Sequence, residues 1–145
     1  MCDTEIQEQN EALVRRVFEG LTNKNDEIYQ EAYAPEYGWY FPSNNPNPLS
    51  REEEHEFVKT TWDAFPDLYY RIEELIAKDD RIVVRFTCGG THKGEWQGIP
   101  AKGNKIEGCG IWMARIKDEK IVEAREDYDL LGFMQQLGME LKPKE

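Results

Sequence analysis

Apolar residues recur at intervals of three and four along the first part of the chain, as they do on one face of an α-helix. The spacing predicts a helix over residues 5–21. The apolar stripe of this helix consists of Leu13, Val14, Val17, Phe18 and Leu21. A shorter helix is predicted over 27–33, and Pro35 ends it.

Residues 38–49 break the periodicity and predict a loop, because three prolines and several turn-forming residues follow an aromatic cluster at 39–41. Ser50 comes next, and Glu53 three residues later completes a capping box. A third helix is therefore predicted from Ser50 until Pro66 stops it. Its apolar side consists of Phe57, Val58, Thr61, Trp62 and Phe65.

The rest of the chain alternates between apolar and polar residues and is rich in β-branched side chains, which predicts strands. The predicted strands cover 68–77, 81–88, 105–116 and 120–128. The last two form a hairpin around Asp118-Glu119, with a two-residue turn or, since Glu119 is not glycine, a slightly longer loop. A helical turn over 130–137 closes the chain, with Gly138 as its C-cap.

Helices first and strands afterwards predict an α+β fold, in which about three N-terminal helices pack on one face of an antiparallel sheet. The length of 145 residues fits a single domain over 1–145. The other face of the sheet must be solvated or paired with a second copy, so we expect a homodimer.

Charge and composition exclude several classes of protein. The net charge of −11 disfavours binding to nucleic acid or to anionic membranes. The sequence has no apolar run near the ~20 residues of a membrane helix, and its polar start does not resemble a secretory signal. The three cysteines fit neither a disulfide framework nor a zinc site and predict reduced, buried thiols. We therefore expect a cytoplasmic protein.

Glu126 stands out in the last predicted strand. Alternation places Val122, Ala124, Glu126 and Tyr128 on the buried face, so one carboxylate lies among apolar neighbours. Burial raises the pKa of such a group, as a general acid or base near neutral pH requires. The alternative is a structural ion pair with Arg85 or Arg115.

A simple hairpin register with a two-residue turn pairs Ile111 with Glu126 and Met113 with Ala124. Ile111, Met113 and Tyr128 are then expected to form an apolar wall for a nonpolar ligand. His92 is interpreted as a polar residue at a strand edge or as a hydrogen-bond donor in the pocket. Most of the aromatic side chains are expected in the core. Five of them are also candidates for the wall of the pocket: Trp39, Tyr40, Trp62, Phe65 and Trp112. The sequence contains neither a metal-ligand cluster nor a phosphate-binding loop.

Several motifs carry a resemblance to a known family. Residues 90–95, GTHKGE, precede the GIP of 98–100, and RIKDEKIVE at 115–123 precedes DLLG at 129–132. The order and spacing of these motifs are similar to those of the SnoaL-like polyketide cyclases, over nearly the whole chain. The resemblance implies the cone-shaped fold of nuclear-transport-factor-like proteins.

The resemblance also implies a reaction. Members of the family close a ring of an aromatic polyketide by intramolecular aldol condensation without a cofactor, and an acidic residue of the last strand moves the proton. That position is Glu126 here, where the cyclase pattern has Asp. Histidines of the pattern are replaced by Trp112 and Ala124. A β-bulge would be needed to bring Trp112 and Glu126 to the same face.

Three functional hypotheses follow. The first is a cofactor-independent cyclase or isomerase that acts on a small apolar carbonyl compound, with Glu126 as the general acid/base and His92 and Tyr40 as donors to the enolate oxygen. In it, Trp39, Trp62 and Trp112 shape the cavity. The second is a binding protein that holds a small hydrophobic ligand in the same cavity without converting it. The third is a structural role in assembly.

Overall fold

The chain forms four helices and six strands over residues 2–145, which are the residues that this computed structural model describes. The helices are α1 (Asp3–Thr22), α2 (Ile28–Ala32), α3 (Arg51–Ala64) and α4 (Leu130–Gln136). The strands are β1 (Tyr33–Tyr40), β2 (Leu49–Ser50), β3 (Tyr69–Lys78), β4 (Arg81–Thr91), β5 (Lys105–Lys117) and β6 (Lys120–Tyr128). The predicted α+β class is confirmed.

All six strands belong to one curved, unclosed sheet in the order β2-β1-β6-β5-β4-β3. Neighbouring strands are antiparallel except for β1, which runs parallel to β6. The helices cover the inner face of this sheet. The stripe of α1 is buried there as predicted, and both bonds of the capping box at the start of α3 are present.

The predictions of a helix over 27–33 and a loop over 38–49 are partly wrong, because the short helix ends at Ala32 and Tyr33–Tyr40 is a strand. Pro35 and Gly38 argue against a strand in the sequence, since both residue types are depleted in strand interiors. The strand tolerates them because its pairing with β6 is irregular between Tyr33 and Gly38. Trp39 and Tyr40 of the expected loop thereby become part of the sheet, and Phe41 follows the end of the strand.

The β5–β6 hairpin has the two-residue turn at Asp118-Glu119, and both residues adopt positive φ angles. Ile116 pairs with Ile121 as expected, but the register then shifts by one residue. The bulge lies at Val122, and Trp112 is brought directly opposite Glu126. The bulge that the family resemblance required is therefore present.

The outer face of the sheet is uncovered in the single chain and carries charged pairs such as Arg85–Glu74 and Arg125–Glu123. Dimerisation on this face stays a prediction. Cys88 is buried as expected, whereas Cys2 and Cys109 are exposed. Within residues 2–145, no helix is both long and apolar enough to cross a membrane.

Candidate active site

A cavity of about 100 Å³ lies between the inner face of the sheet and the helices that cover it. Its wall is almost entirely apolar and aromatic. Residues from α1, α3, β4, β5 and β6 contribute, among them Phe18, Val58, Phe86, Trp112 and Tyr128. Two carboxylates, those of Glu54 and Glu126, also line the cavity.

Glu126 lies on the inner face of β6, between Ala124 and Tyr128 in the alternation. The indole N–H of Trp39 donates a hydrogen bond to Glu126 Oε1 at 3.1 Å. Glu126 Oε2 has no hydrogen-bond partner in the part of the chain that the structure describes, so this oxygen can act on a ligand. The carboxylate is thus oriented by a residue of β1, the strand parallel to β6 that the sequence did not predict.

The alternative explanation of Glu126 as a structural ion pair is wrong. Arg85 pairs with Glu74 at 2.8 Å, and Arg115 lies 4.0 Å from Glu123. Both arginines belong to the outer face of the sheet. Within the described residues 2–145, no cation lies within ion-pair distance of Glu126.

Burial raises the pKa of Glu126 to about 8, since the surrounding protein withholds the water that a carboxylate needs. The negative charge of Glu54 raises the pKa further, whereas the hydrogen bond from Trp39 lowers it. The residue nevertheless keeps partial accessibility within the cavity. A carboxyl group with this pKa exchanges protons readily near neutral pH.

Glu54 is a functional candidate that the sequence interpretation missed. It lies on α3, is only 6% exposed, and accepts a 2.7 Å hydrogen bond from the hydroxyl of Tyr37. The signal was present: Glu54 precedes Val58 by four residues and Phe57 by three, so it continues the apolar side of the helix. It was overlooked because it stands in an acidic run that resembles a solvated surface.

Burial also raises the pKa of Glu54 to about 7, while the hydrogen bond from Tyr37 opposes the shift. Tyrosines around the cavity respond to the same environment. Burial and nearby carboxylates raise the pKa values of Tyr29, Tyr33 and Tyr70 well above their usual range. Their hydroxyl groups therefore stay protonated and can donate hydrogen bonds.

The two raised carboxyl pKa values predict that stability falls as pH rises. An unfolded glutamate titrates near pH ~4.3, so between about pH 4.3 and 8 the folded state holds protons that the unfolded state has released. Each such proton lowers the free energy of unfolding by about 1.4 kcal/mol per pH unit. Urea denaturation should give a higher free energy of unfolding at pH 5 than at pH 9.

The variant E54Q/E126Q should flatten this dependence, because neither amide titrates. Glu56→Gln is the matched control, since Glu56 lies on the same helix and is exposed. Equal pH dependence in the double variant and the wild type would contradict the assignment of the two raised pKa values.

Several candidates from the sequence do meet in the cavity. Trp39, Phe65, Trp112 and Tyr128 all line it together with Glu126. Three aromatic rings stack in sequence at this wall, with centroid distances of 5.7 Å between Trp39 and Phe41 and 4.5 Å between Phe41 and Tyr128. The bulge at Val122 explains how Trp112 reaches the same face as Glu126, whereas Tyr128 shares that face by alternation along β6.

His92 and Trp62 are not part of the cavity wall. His92 is 0% exposed and stacks on Phe65 at 5.2 Å, and neither of its ring nitrogens has a hydrogen-bond partner within residues 2–145. Trp62 turns toward α1, where its indole N–H donates to the carbonyl of Leu21 at 2.9 Å. The expectation that His92 donates a hydrogen bond in the pocket is thus wrong, and Trp62 joins two helices.

Tyr40, Ile111 and Met113 lie on the outer face of the sheet, contrary to expectation. The ring of Tyr40 packs under the guanidinium of Arg125 at 4.0 Å. Ile111 is 47% exposed and pairs with Asp127, not with Glu126. For Ile111 and Met113 the physical reason is the one-residue slip at the bulge, which exchanges the faces of the residues on β5 relative to Glu126. Tyr40 faces outward because it alternates along β1 with Trp39, which faces the cavity.

Comparison with known proteins adds to this geometry. A family model described as SnoaL-like polyketide cyclase matches residues 11–137. The chain belongs to this family. A curated relative, aklanonic acid methyl ester cyclase DnrD of Streptomyces peucetius, is 33% identical over 136 residues, or 87% of this chain and 88% of the relative. The resemblance carried by the sequence motifs is confirmed.

Solved structures of similar shape agree with the family's fold. TsrD of Streptomyces laurentii superposes with a TM-score of 0.80 at 24% identity, covering 91% of this chain and 96% of that one. A SnoaL-like polyketide cyclase from Agrobacterium tumefaciens gives a TM-score of 0.71 at 16% identity, covering 87% and 95%. At these identities the likeness supports the cone-shaped fold alone, which confirms the predicted architecture.

Proposed function

We propose that this protein is a cofactor-independent cyclase that closes a ring by intramolecular aldol addition within a largely apolar carbonyl compound. One observation carries the proposal: the carboxylate of Glu126 lies in an aromatic cavity, oriented by Trp39 and with no ion-pair partner among residues 2–145. Membership of the polyketide cyclase family supports a cyclase role in general.

The chemistry needs a base beside a carbon acid. The ionised form of Glu126 takes a proton from the carbon next to a carbonyl group, and the resulting enolate carbon attacks a second carbonyl of the same molecule. A pKa of about 8 makes Glu126 a stronger base than an exposed glutamate, while an ionised fraction remains available near neutral pH. Holding both reacting groups in one cavity makes the attack intramolecular in a fixed geometry.

The enolate oxygen needs a hydrogen-bond donor, and neither His92 nor Tyr40 reaches the cavity. Tyrosine side chains replace them in the proposal, since Tyr29, Tyr33, Tyr70 and Tyr128 all line the wall. Their raised pKa values keep the hydroxyl groups protonated. Donors fixed by packing stabilise developing negative charge more than mobile water does.

The size of the cavity limits what enters it. About 100 Å³ leaves room for no more than one ring, since the dry cavity that binds a single benzene has roughly 150 Å³. A neighbouring groove of about 350 Å³ shares part of the same wall, namely Trp39, Phe57, Trp96 and Tyr128. We propose that the reacting ring enters the cavity while the rest of a larger, flat substrate stacks on these aromatic side chains.

A suitable first probe is aklanonic acid methyl ester, the compound in the name of the DnrD relative. Ring closure by an aldol step moves one hydrogen from carbon to oxygen, so the product has the mass of the substrate and a different retention time. In D₂O, the hydrogens next to the carbonyl groups should exchange faster with protein than without it. Liquid chromatography with mass detection follows both signals in one experiment.

The tryptophans of the wall provide a separate measure of binding, because a ligand in the cavity should quench their fluorescence. Binding with exchange and closure supports the cyclase. Saturable binding without exchange would select the non-catalytic ligand-binding function instead. The absence of binding and of exchange, with this ester and with other aromatic keto esters, would contradict both.

A further inference from the structure

We propose that Glu54 is a second acid–base residue of this cavity, which delivers a proton to the oxygen of the carbonyl that is attacked during ring closure. This inference rests on the proposed function of Glu126 and goes beyond the single acidic residue that the family resemblance implies.

The geometry places two carboxylates on different walls of one apolar cavity. Glu126 comes from the last strand of the sheet, and Glu54 comes from the first turns of α3. The hydroxyl of Tyr37 on β1 fixes the carboxylate of Glu54 at 2.7 Å. A substrate between the walls would meet one carboxyl group at each of two positions, as a reaction with two proton transfers requires.

Charge favours a division of roles between the two groups. Glu54 acts electrostatically with Glu126 and with the tyrosines Tyr29, Tyr33, Tyr37 and Tyr70. The basic side chains beside it on α3 bond elsewhere: Arg51 to Glu52 and the Tyr33 carbonyl, and His55 to Asp26. Two carboxylates in an apolar cavity resist simultaneous ionisation, so near neutral pH the pair tends to hold one proton. One member is then a base and the other an acid. The pKa of Glu126 is the higher of the two, so the proposed roles use the less populated arrangement, in which Glu54 holds the proton and Glu126 is ionised.

The steps balance without a further reactant. Glu126 takes a proton as the C–H bond breaks, and the enolate carbon forms a bond to the carbon of the acceptor carbonyl. The π electrons of that carbonyl move to its oxygen, which takes the proton from Glu54. The product leaves Glu126 protonated and Glu54 ionised, and exchange with solvent water moves one proton from the first to the second.

The two roles can be separated by experiment, because exchange needs only the base whereas closure needs both groups. In Glu54→Gln, we expect exchange of the ester probe in D₂O within about 3-fold of the wild type, while the rate of closure falls by about 10²–10⁴-fold, the usual contribution of one acid–base group. The pH midpoint of exchange should move down, since Glu126 loses a negative neighbour. Glu56→Gln, an exposed change on the same helix, should alter neither rate.

A second variant covers the case in which Glu54→Gln does not fold. Tyr37→Phe removes the hydrogen bond that lowers the pKa of Glu54, so the high-pH limb of the closure rate should move to higher pH. An unmoved limb, or closure at the wild-type rate in folded Glu54→Gln, would overturn the inference. Equal losses of exchange and closure in folded Glu54→Gln would also overturn it, by indicating a structural role. A wild type without exchange would instead contradict the proposed function itself.

Discussion

Glu126→Gln is expected to lower the rates of hydrogen exchange and of ring closure by about 10²–10⁴-fold, the usual contribution of one general base. The amide has the size of the carboxyl group, and its oxygen can still accept the hydrogen bond from Trp39. The protein should therefore fold and bind the ester probe. It cannot take a proton from carbon, so the loss should lie in kcat and leave KM nearly unchanged.

The matched control is Glu123→Gln, which makes the same change on the same strand but on the outer face, where Glu123 pairs with Arg125 at 3.3 Å. This variant should retain both rates. Circular dichroism and thermal unfolding of the two variants establish that they are folded. Wild-type closure in folded Glu126→Gln would remove Glu126 as the base, whatever the behaviour of the control.

Glu126 could be identified from the sequence because the signal is local. The period of two along a strand is fixed by backbone geometry, so a carboxylate in phase with Ala124 and Tyr128 points toward the core wherever the strand lies. Its hydrogen-bond donor could not be identified in the same way. Trp39 precedes Glu126 by 87 residues, and its indole contacts the carboxylate only because β1 pairs in parallel with β6.

The wall around Glu126 was predicted in the wrong register for a related reason. The turn at Asp118-Glu119 was correctly placed, but one extra residue at Val122 shifts every pair beyond it. A bulge leaves little trace in the pattern of apolar residues when, as here, both Ile121 and Val122 are apolar and both are buried. Only the family resemblance, which required Trp112 beside Glu126, indicated the shift.

The second carboxylate illustrates the opposite case, in which the pattern contained the information and composition concealed it. Helical periodicity puts Glu54 in line with Val58 and Trp62, whereas its neighbours Glu52 and Glu53 face solvent. Burying a carboxylate is costly unless a partner or a proton compensates for it. That partner, Tyr37, lies on β1, a strand that the sequence did not predict.

Phe86→Ala is expected to destabilise the protein by about 3–5 kcal/mol, a large part of the roughly 5–15 kcal/mol that holds a typical domain together. Phe86 is 2% exposed, and its ring meets those of Phe18 at 5.9 Å and Tyr70 at 6.0 Å. It also leaves no room for a side chain at its cross-strand neighbour Gly110, where a Cβ would lie 2.6 Å from the ring. In thermal unfolding, the midpoint should fall by roughly 2–4 °C for each kcal/mol lost.

The cost of Phe86→Ala should be partly recovered by a ligand, because the removed ring enlarges a cavity that is already apolar. Benzene at saturating concentration should raise the unfolding midpoint of Phe86→Ala more than that of the wild type, since it binds only the folded state. Ile76→Ala is the control: Ile76 is 64% exposed on β3, so its truncation should change stability by less than about 0.5 kcal/mol. A similarly small loss in Phe86→Ala would show that the ring does not support the cavity wall. The space beside Glu126 would then be shaped by other side chains.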